Sequence, residues 1–203
     1  MKRNRYGVMK QRKETAMAKV YSFWADGLEE IEALTPVDVL RRAGNDVTTV
    51  SIMGRKTIHG SHGIDVVADC LFEEADFRDG SLFILPGGGQ GTQYLAGCAP
   101  LRELLKESCA AGKHVAAICA APSVLGSLGL VKGRKAVVYP GMESTLTGAE
   151  VLDVPTVTDG PVTTGHGPGA SMDFALELVR VLNGEAAAKK LKEQMVFQHE
   201  TVV

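Results

Sequence analysis

A short apolar run that ends in a cysteine, small residues and a proline constrains the fold most strongly. Val115 to Ile118 are consecutive apolar residues, the pattern of a strand buried on both faces of a sheet. Pro122 then begins a helical pattern, at a position where the missing N–H of proline leaves no hydrogen bond unmade. The pattern predicts a central strand that turns sharply into a helix, with Cys119 at the turn.

Cys119 has two interpretations at such a turn. In the first it is a nucleophile, because the free N–H groups and partial positive charge of a helix start favour the thiolate. Ala117 and Ala121 are small enough to let the turn close, as glycines do in the nucleophile elbow of hydrolases. In the second, Cys119 is a small buried hydrophobic residue, as free cysteines commonly are. The turn alone does not separate the two.

Strand and helix patterns alternate along the chain. Periodicity and turn residues predict strands over 19–24, 46–52, 64–68, 81–85, 115–118, 135–139, 151–158 and 162–164. Helices are predicted after Pro122 and over 28–43, 100–111, 170–182 and 185–195, with shorter helical turns over 71–77 and 142–147. The alternation predicts an α/β protein whose mostly parallel sheet is covered by helices on both faces.

Several candidate site residues directly follow predicted strands. Gly87 and Gly88 follow one strand, and Cys119, Tyr139 and His166 each follow another. Ligands of parallel sheets bind beyond the carboxyl ends of the strands, so we expect these residues to gather at one edge.

The glycine cluster from Gly87 to Gly91 has three interpretations. It lacks the Lys-Ser/Thr ending of a Walker loop and the spacing of a dinucleotide-binding fingerprint, which weakens the case for a phosphate site. A pocket of backbone N–H groups beside an active site, as in an oxyanion hole, is the preferred interpretation. A flexible turn is the third.

Glu32 is an acidic residue within an apolar stripe of the first predicted helix. At 100° per residue, that stripe also contains Leu28, Ile31, Thr35 and Val39. Burial would strip water from the carboxylate, raise its pKa and keep it protonated near neutrality. The alternative is a side chain at the helix start that extends to water. Glu29 and Glu30 are ascribed to the helix dipole, which acidic residues in a first turn complement.

A second face of the same helix is also apolar. It is formed by Leu34, Val37 and Leu40. A helix that is apolar on two sides is expected to be buried on two sides, against its own sheet and against a partner chain.

Composition and charge exclude several classes of function. Charged residues make up 23% of the chain and hydrophobic residues 45%, as in ordinary globular proteins. Residues 1–16 hold six Lys/Arg and one Glu without apolar periodicity, so we predict a disordered basic extension followed by a single domain over 17–203. The remainder holds 16 basic and 23 acidic residues, so no surface for nucleic acid is expected.

The apolar runs and the cysteines bear on membrane binding, metal binding and the cellular compartment. No apolar run is long enough to span a membrane, so no membrane partner is expected. The cysteines form no Cys-x-x-Cys pair and have no histidine at metal-ligand spacing, so no metal site is predicted; they are Cys70, Cys98, Cys109 and Cys119. A reducing cytoplasm is the simplest compartment for such a chain.

Four stretches together resemble the parkinsonism-associated deglycase branch of the ThiJ/PfpI superfamily. They are Gly27–Ala33, Leu85–Gly88, Ala116–Pro122, and Gly167–Gly169 followed by Asp173–Leu176. They occur in the expected order and extend the likeness over nearly the whole chain. Each stretch alone is a weak signal, but the four together are specific.

The resemblance implies a flavodoxin-like three-layer sandwich that forms a homodimer through its first helix. It implies that Cys119 is the reactive cysteine, that Glu32 is the acid in contact with it, and that the N–H groups of Gly88 and Ala120 form an oxyanion pocket. Members of this branch are described as cofactor-free enzymes on methylglyoxal-type compounds, as repairers of glycated groups, or as redox-responsive chaperones. An older label is thiamine biosynthesis.

Two positions depart from the family pattern. Tyr139 occupies a position that is often histidine in this branch, and because tyrosine is a poor base near neutrality, a base role there is disfavoured. Ala120 stands where the protease-like branch has histidine, which argues against peptidase and glutamine amidotransferase chemistry. His166 could supply an imidazole, although a loop histidine between glycines more often faces solvent.

Two functions are compatible with these residues, and the sequence does not separate them. In the first, an enzyme without a cofactor acts on 2-oxoaldehydes such as methylglyoxal or on glycated proteins: the Cys119 thiolate adds to the aldehyde and Glu32 shuttles a proton. In the second, a redox sensor or chaperone without turnover uses protonated Glu32 to hold an oxidised Cys119. A phosphate- or nucleotide-binding module is a third, weaker possibility that depends on the glycine cluster alone.

Overall fold

The computed structural model describes residues 17–197, so the predicted extension over 1–16 lies outside the described residues. Within them the chain forms eleven strands and six α-helices. The strands are β1 (Lys19–Trp24), β2 (Asp46–Ser51), β3 (Thr57–His59), β4 (Asp65–Val67), β5 (Cys70–Leu71), β6 (Leu82–Leu85), β7 (His114–Ile118), β8 (Lys135–Ala136), β9 (Glu150–Val151), β10 (Thr156–Asp159) and β11 (Val162–Gly165). The helices are α1 (Glu30–Arg42), α2 (Gly89–Gly97), α3 (Ala99–Ala110), α4 (Pro122–Ser127), α5 (Ser171–Asn183) and α6 (Glu185–Gln194).

A seven-stranded sheet forms the middle layer, in the order β10-β11-β7-β6-β1-β2-β5. All of its neighbouring strands are parallel except β10 and β11. The pairings of Leu85 with Ala117 and of Gly165 with Ile118 align the carboxyl ends of three adjacent strands. The segments that follow β6, β7 and β11 therefore start side by side at one edge.

Helices cover both faces of this sheet. On one face, side chains of α1, α5 and α6 pack with Val20, Ile84 and Ile118 of the strands. On the other face, side chains of α2, α3 and α4 pack with Phe83 and Ala117. All five residues of β7 are buried, as the apolar run predicted for a central strand. The expected flavodoxin-like three-layer α/β sandwich is confirmed.

Two predicted strands are shorter in the structure. The strand predicted over 135–139 is limited to β8, which pairs with β9 in a separate two-stranded sheet. The strand predicted over 151–158 is divided into β9 and β10, and Pro155, which has no N–H to donate, lies between them. Tyr139 therefore lies in a loop and does not follow a strand of the central sheet.

Each predicted apolar face of α1 is buried only in part within one chain. Ile31 is 53% exposed and Leu34 is 41% exposed, and their burial against a partner chain stays a prediction. The buried surface of α1 takes residues from both predicted faces. Glu32 comes from the first face, and Val37 and Leu40 come from the second. Apolar residues surround most of this helix, so periodicity alone does not select the buried side.

In the part of the chain that the structure describes, every helix is too short or too polar to cross a membrane.

Candidate functional site

Cys119 lies on a strained turn between β7 and α4. Its φ of 65° is in the left-handed region, which a side chain with a Cβ rarely adopts. The Cys119 N–H donates to the carbonyl of Gly165 at 2.9 Å, and its carbonyl accepts from the N–H of Tyr139 at 2.8 Å. These two hydrogen bonds hold a conformation that costs on the order of 1–3 kcal/mol. The predicted elbow is present, and Cys119 is 8% exposed.

Glu32 lies in the first turn of α1 and is fully buried. The Glu32 Oε2 accepts a hydrogen bond from the N–H of Gly87 at 3.1 Å. The Glu32 Oε1 is also buried and accepts no hydrogen bond from the described residues. Burial raises the pKa of Glu32 to about 7, and the neighbouring Glu29 charge adds to this effect. The carboxyl therefore holds or releases a proton near neutrality.

The Glu32 carboxyl is hydrogen-bonded to the Cys119 thiol, and Gly87 packs against both side chains. A Cβ built on Gly87 would lie 2.6 Å from the Cβ of Cys119 and would also collide with Oε2 of Glu32. Gly88 has a φ of 91°, and a Cβ there would lie 2.7 Å from the backbone nitrogen of Glu29. Glycine is required at position 87 because its backbone approaches both reactive groups, and at position 88 because of its φ and the nearby backbone of residues 27–29.

The N–H groups of Gly88 and Ala120 lie at the Cys119 sulfur. Hydrogen bonds from both groups act to lower the pKa of Cys119. Two N–H groups at one sulfur are also the donors that an oxyanion formed on that sulfur would need. Within the glycine cluster, Gly88 thus presents its backbone N–H beside Cys119, which is the kind of group that the preferred interpretation predicts.

At Cys119 the backbone N–H groups and the surroundings of the thiol act on its pKa in opposite directions. Burial, followed by the charge of Glu32, raises the pKa of Cys119 to about 12 and outweighs the backbone N–H groups. The two acids share one enclosed space, so a single negative charge is easier to hold than two. A proton on Glu32 would remove the opposing charge and leave an O–H that can donate to the sulfur.

Tyr139 and His166 are less closely associated with the pair. Tyr139 provides its backbone N–H to Cys119, but its side chain is 46% exposed. Both side chains line a surface groove of about 370 Å³, and Cys119 is not among the residues that line it. The Nδ1 of His166 lies 4.0 Å from a carboxylate oxygen of Asp153. The structure brings together Cys119, Glu32, Gly87, Gly88 and Ala120.

Glu29 and Glu30 have specific roles that the sequence analysis missed. The Glu29 side chain caps α1 by accepting the N–H of Glu32 at 2.7 Å. Glu30 is 4% exposed and accepts hydrogen bonds from the β3–β4 loop, including the N–H of His62 at 2.7 Å. Acidic residues are common in a first helical turn, so their pattern carried no signal of burial.

Among residues 17–197, one group of side chains is arranged so that it could hold a metal ion. Glu29, Glu30 and His62 place three potential ligand atoms within 4.8 Å of one another. The Glu30 oxygens already accept hydrogen bonds from the β3–β4 loop, which accounts for this cluster without a metal. The four cysteines are free thiols, and Cys119 alone among them is buried.

Comparisons with known proteins find relatives over most of the chain. A family model described as the DJ-1/PfpI family matches residues 18–181. The Arabidopsis thaliana protein DJ-1 homolog B is 37% identical over 176 residues, which cover 86% of this chain and 40% of that relative. The chain thus spans less than half the length of that relative. A deglycase of Pyrococcus abyssi is 32% identical over 160 residues, covering 78% of this chain and 95% of the deglycase. The structure of oxidized Toxoplasma gondii DJ-1 has a TM-score of 0.86 and 34% identity, covering 90% of this chain and all of that one.

Proposed function

The chain belongs to the DJ-1/PfpI family, and from that premise we propose that it is a cysteine-dependent enzyme acting on 2-oxoaldehydes or their glycation adducts. The observation that carries the proposal is the buried Glu32 carboxyl, whose pKa is raised to about 7 beside the Cys119 thiol. A thiol and a carboxyl that exchanges protons near neutrality supply the nucleophile and the acid–base group of such a reaction. The chemistry uses these side chains and requires no cofactor.

The first step forms a carbon–sulfur bond. The sulfur of Cys119 adds to the aldehyde carbon C1 of methylglyoxal, and the thiol proton passes to the Glu32 carboxylate. The charge that develops on the aldehyde oxygen faces the N–H groups of Gly88 and Ala120. Return of the proton from Glu32 gives a neutral hemithioacetal.

The second step moves hydrogen within the substrate. The Glu32 carboxylate removes the C1 hydrogen as a proton, which leaves an enediolate, and the protonated Glu32 then delivers that proton to C2. The hydroxyl proton moves from the C1 oxygen to the C2 oxygen, so C1 is oxidised and C2 is reduced in one molecule. The product is a thioester on Cys119. Water adds to its carbonyl, the carbon–sulfur bond breaks, and the thiol and a 2-hydroxy acid are released.

The same residues would act on glycated side chains. A hemithioacetal or aminocarbinol on a protein carries the same carbon skeleton, and its transfer to Cys119 would release the unmodified side chain. The 32% identity to a deglycase over most of both chains supports this extension.

A homodimer is part of the proposal. Four apolar side chains on α1 and the β3–β4 hairpin are at least 41% exposed, namely Ile31, Leu34, Ile64 and Val67. Exposed apolar side chains of this kind favour a partner of matching chemistry, and a second copy of the chain supplies one.

A redox sensor or chaperone without turnover is the second candidate. The observation in its favour is the Glu32 Oε1, which is buried without a hydrogen bond from the described residues. A protonated Oε1 could donate to an oxygen of a sulfinate on Cys119 and halt oxidation there. Mild peroxide followed by peptide mapping separates this candidate: oxygen on Cys98 or Cys109 with none on Cys119 would contradict it.

Lactate formation from methylglyoxal tests the enzyme directly. The assay compares the wild type with Cys119→Ser, with metals chelated and without added glutathione. We expect lactate from the wild type alone. Absence of lactate from both proteins would contradict the enzyme and favour the sensor.

A further inference from the structure

The β3–β4 hairpin is fastened to the start of α1 through a single buried carboxylate. Four hydrogen bonds from residues 61–64 end on Glu30. The two shortest contacts come from His62. Its N–H donates to Oε1 at 2.7 Å, and its Nδ1 lies 2.8 Å from Oε2. Ser61 adds a backbone hydrogen bond to the Leu28 carbonyl at 2.9 Å. We name this arrangement of Glu30, Ser61, His62 and Ile64 the clasp.

The opposite side of the same helical turn is bound to the glycine segment of the site. The N–H of Glu29 donates to the Gly87 carbonyl at 3.1 Å, and the Gly87 N–H donates to Glu32 at 3.1 Å. The first turn of α1 therefore lies between the clasp and the backbone beside Cys119. Movement on the hairpin side would move Glu32 relative to the sulfur.

We propose that the clasp is a positioning device that holds the first turn of α1, and with it the Glu32 carboxyl, against Cys119. The inference deepens the proposed function because it concerns the same carboxyl. Glu30 and His62 act through Glu32 and touch neither the sulfur nor a substrate.

The charges of the clasp suit this role. Although burial opposes it, hydrogen bonds from the His62 side chain and backbone lower the pKa of Glu30 to about 2. The same contact raises the pKa of His62. An ionised carboxylate and an imidazole held by it form a charge-assisted contact, which is stronger than a hydrogen bond between neutral groups.

A matched contact on the same hairpin supplies the control. The Nδ1 of His59 lies 2.8 Å from a carboxylate oxygen of Asp65, the same separation as in the clasp. The histidines of both contacts are exposed, His59 at 58% and His62 at 67%, so the two contacts differ at the carboxylate: Asp65 is 58% exposed and Glu30 is 5% exposed. Loss of this second contact should leave Glu32 where it is.

The experiment measures the pH dependence of Cys119 alkylation by iodoacetamide, resolved from the other cysteines by peptide mapping. The groups that face Glu32 are Cys119, Glu29 and the Gly87 N–H, so ionisation of Glu32 produces an inflection in the Cys119 rate. In the wild type we expect that inflection near pH 7. In His62→Gln and Glu30→Gln, water reaches the loosened carboxyl, and the inflection should move down by about one pH unit or more. Asp65→Asn should follow the wild type.

The outcomes are decisive even where a variant folds poorly. If Glu30→Gln does not fold, His62→Gln decides alone, since it keeps Glu30 and its backbone hydrogen bonds. A lower unfolding temperature with an unchanged inflection would show a merely structural clasp and overturn the proposal. So would an equal shift in Asp65→Asn. Alkylation needs no turnover, so failure of the lactate assay would leave this test intact.

Discussion

At the scale of single residues, Gly87 makes the most specific prediction. The change Gly87→Ala places a Cβ against the carboxylate of Glu32 and 2.6 Å from the Cβ of Cys119. We expect loss of about 1–3 kcal/mol in the free energy of unfolding, and loss of lactate formation. Urea denaturation and the lactate assay measure the two effects.

Gly89→Ala is the matched control, because a Cβ on Gly89 meets nothing within 4 Å. Gly89 begins α2, where alanine is a better helix former than glycine, so stability should stay the same or rise. A Gly87→Ala protein as active as Gly89→Ala would contradict the close approach at the site.

Glu32 makes a prediction about stability. A carboxyl whose pKa is raised to about 7 in the folded protein contributes stability below its ordinary pKa, and that contribution is lost as the pH rises through 7. Glu32→Gln has no such loss. As the pH rises from 5 to 8, the free energy of unfolding of the variant should therefore increase relative to that of the wild type, by up to about 3 kcal/mol.

Urea denaturation of both proteins at the two pH values measures this difference. An equal difference at pH 5 and pH 8 would mean that Glu32 titrates in its ordinary range. A gain in stability together with lost turnover would fit a residue retained for function at a cost in stability.

At the scale of elements, the exposed side of α1 predicts the oligomeric state. Leu34 is 41% exposed within the apolar surface proposed as the dimer contact. A lysine there would put a charge into that contact, so Leu34→Lys should be monomeric where the wild type is dimeric. Analytical ultracentrifugation at several concentrations checks this.

The control for the dimer is Tyr94→Ser, which removes a side chain with the same 41% exposure from α2. It should leave the mass unchanged. A monomeric wild type, or an equal effect of both substitutions, would contradict the proposed contact surface.

Much of the element pattern was predictable because it depends on local chemistry. The apolar run before Cys119 predicts β7, and Pro122 begins α4 as expected. The strand order was not predictable, since it is decided by contacts between distant segments. The side of α1 that is buried was not predictable either, because Ile31 and Leu34 are as apolar as the residues that face the core.

At the scale of the whole molecule, a chain of polar contacts, buried at His114 and Thr163 and partly exposed at its other end, links the sheet to α5. The Nε2 of His114 lies 2.7 Å from the hydroxyl of Thr163, which lies 2.7 Å from the hydroxyl of Thr158. The Thr158 hydroxyl donates to Glu177, which is paired with Arg180. Burial lowers the pKa of His114 to about 4.

This chain makes a prediction for acid stability. In the unfolded chain His114 binds a proton near pH 6.5, but in the folded protein it binds one only near pH 4. The free energy of unfolding therefore falls as the pH falls through that interval. The full loss is about 3 kcal/mol. Glu32 has the opposite slope over much of the same range, so the measurement belongs in the Glu32→Gln background. In that background, His114→Gln should make the free energy of unfolding less dependent on pH between pH 4 and pH 6.5. An equally steep dependence with glutamine and with histidine would contradict the lowered pKa of His114.

The site itself was partly predictable at this scale. Residues after adjacent parallel strands must meet at one edge, which brings Gly87, Gly88 and Cys119 together. The balance of charges was not predictable, because the pKa values of Cys119 and Glu32 depend on how deeply the finished fold buries the pair. The contact between Glu30 and His62 joins distant segments, and nothing local indicates it.

The two side chains of the site are proposed to have different roles in the reaction. Cys119 forms the bond to the substrate, and Glu32 transfers the protons of the substrate. The most direct measurement follows lactate and intact protein mass together, after mixing methylglyoxal with the wild type, Glu32→Gln and Cys119→Ser. We predict lactate from the wild type, and from Glu32→Gln no lactate but an adduct of one methylglyoxal that maps to Cys119. Cys119→Ser should give neither lactate nor an adduct at position 119. Full turnover by Glu32→Gln, or lactate from Cys119→Ser, would contradict the account.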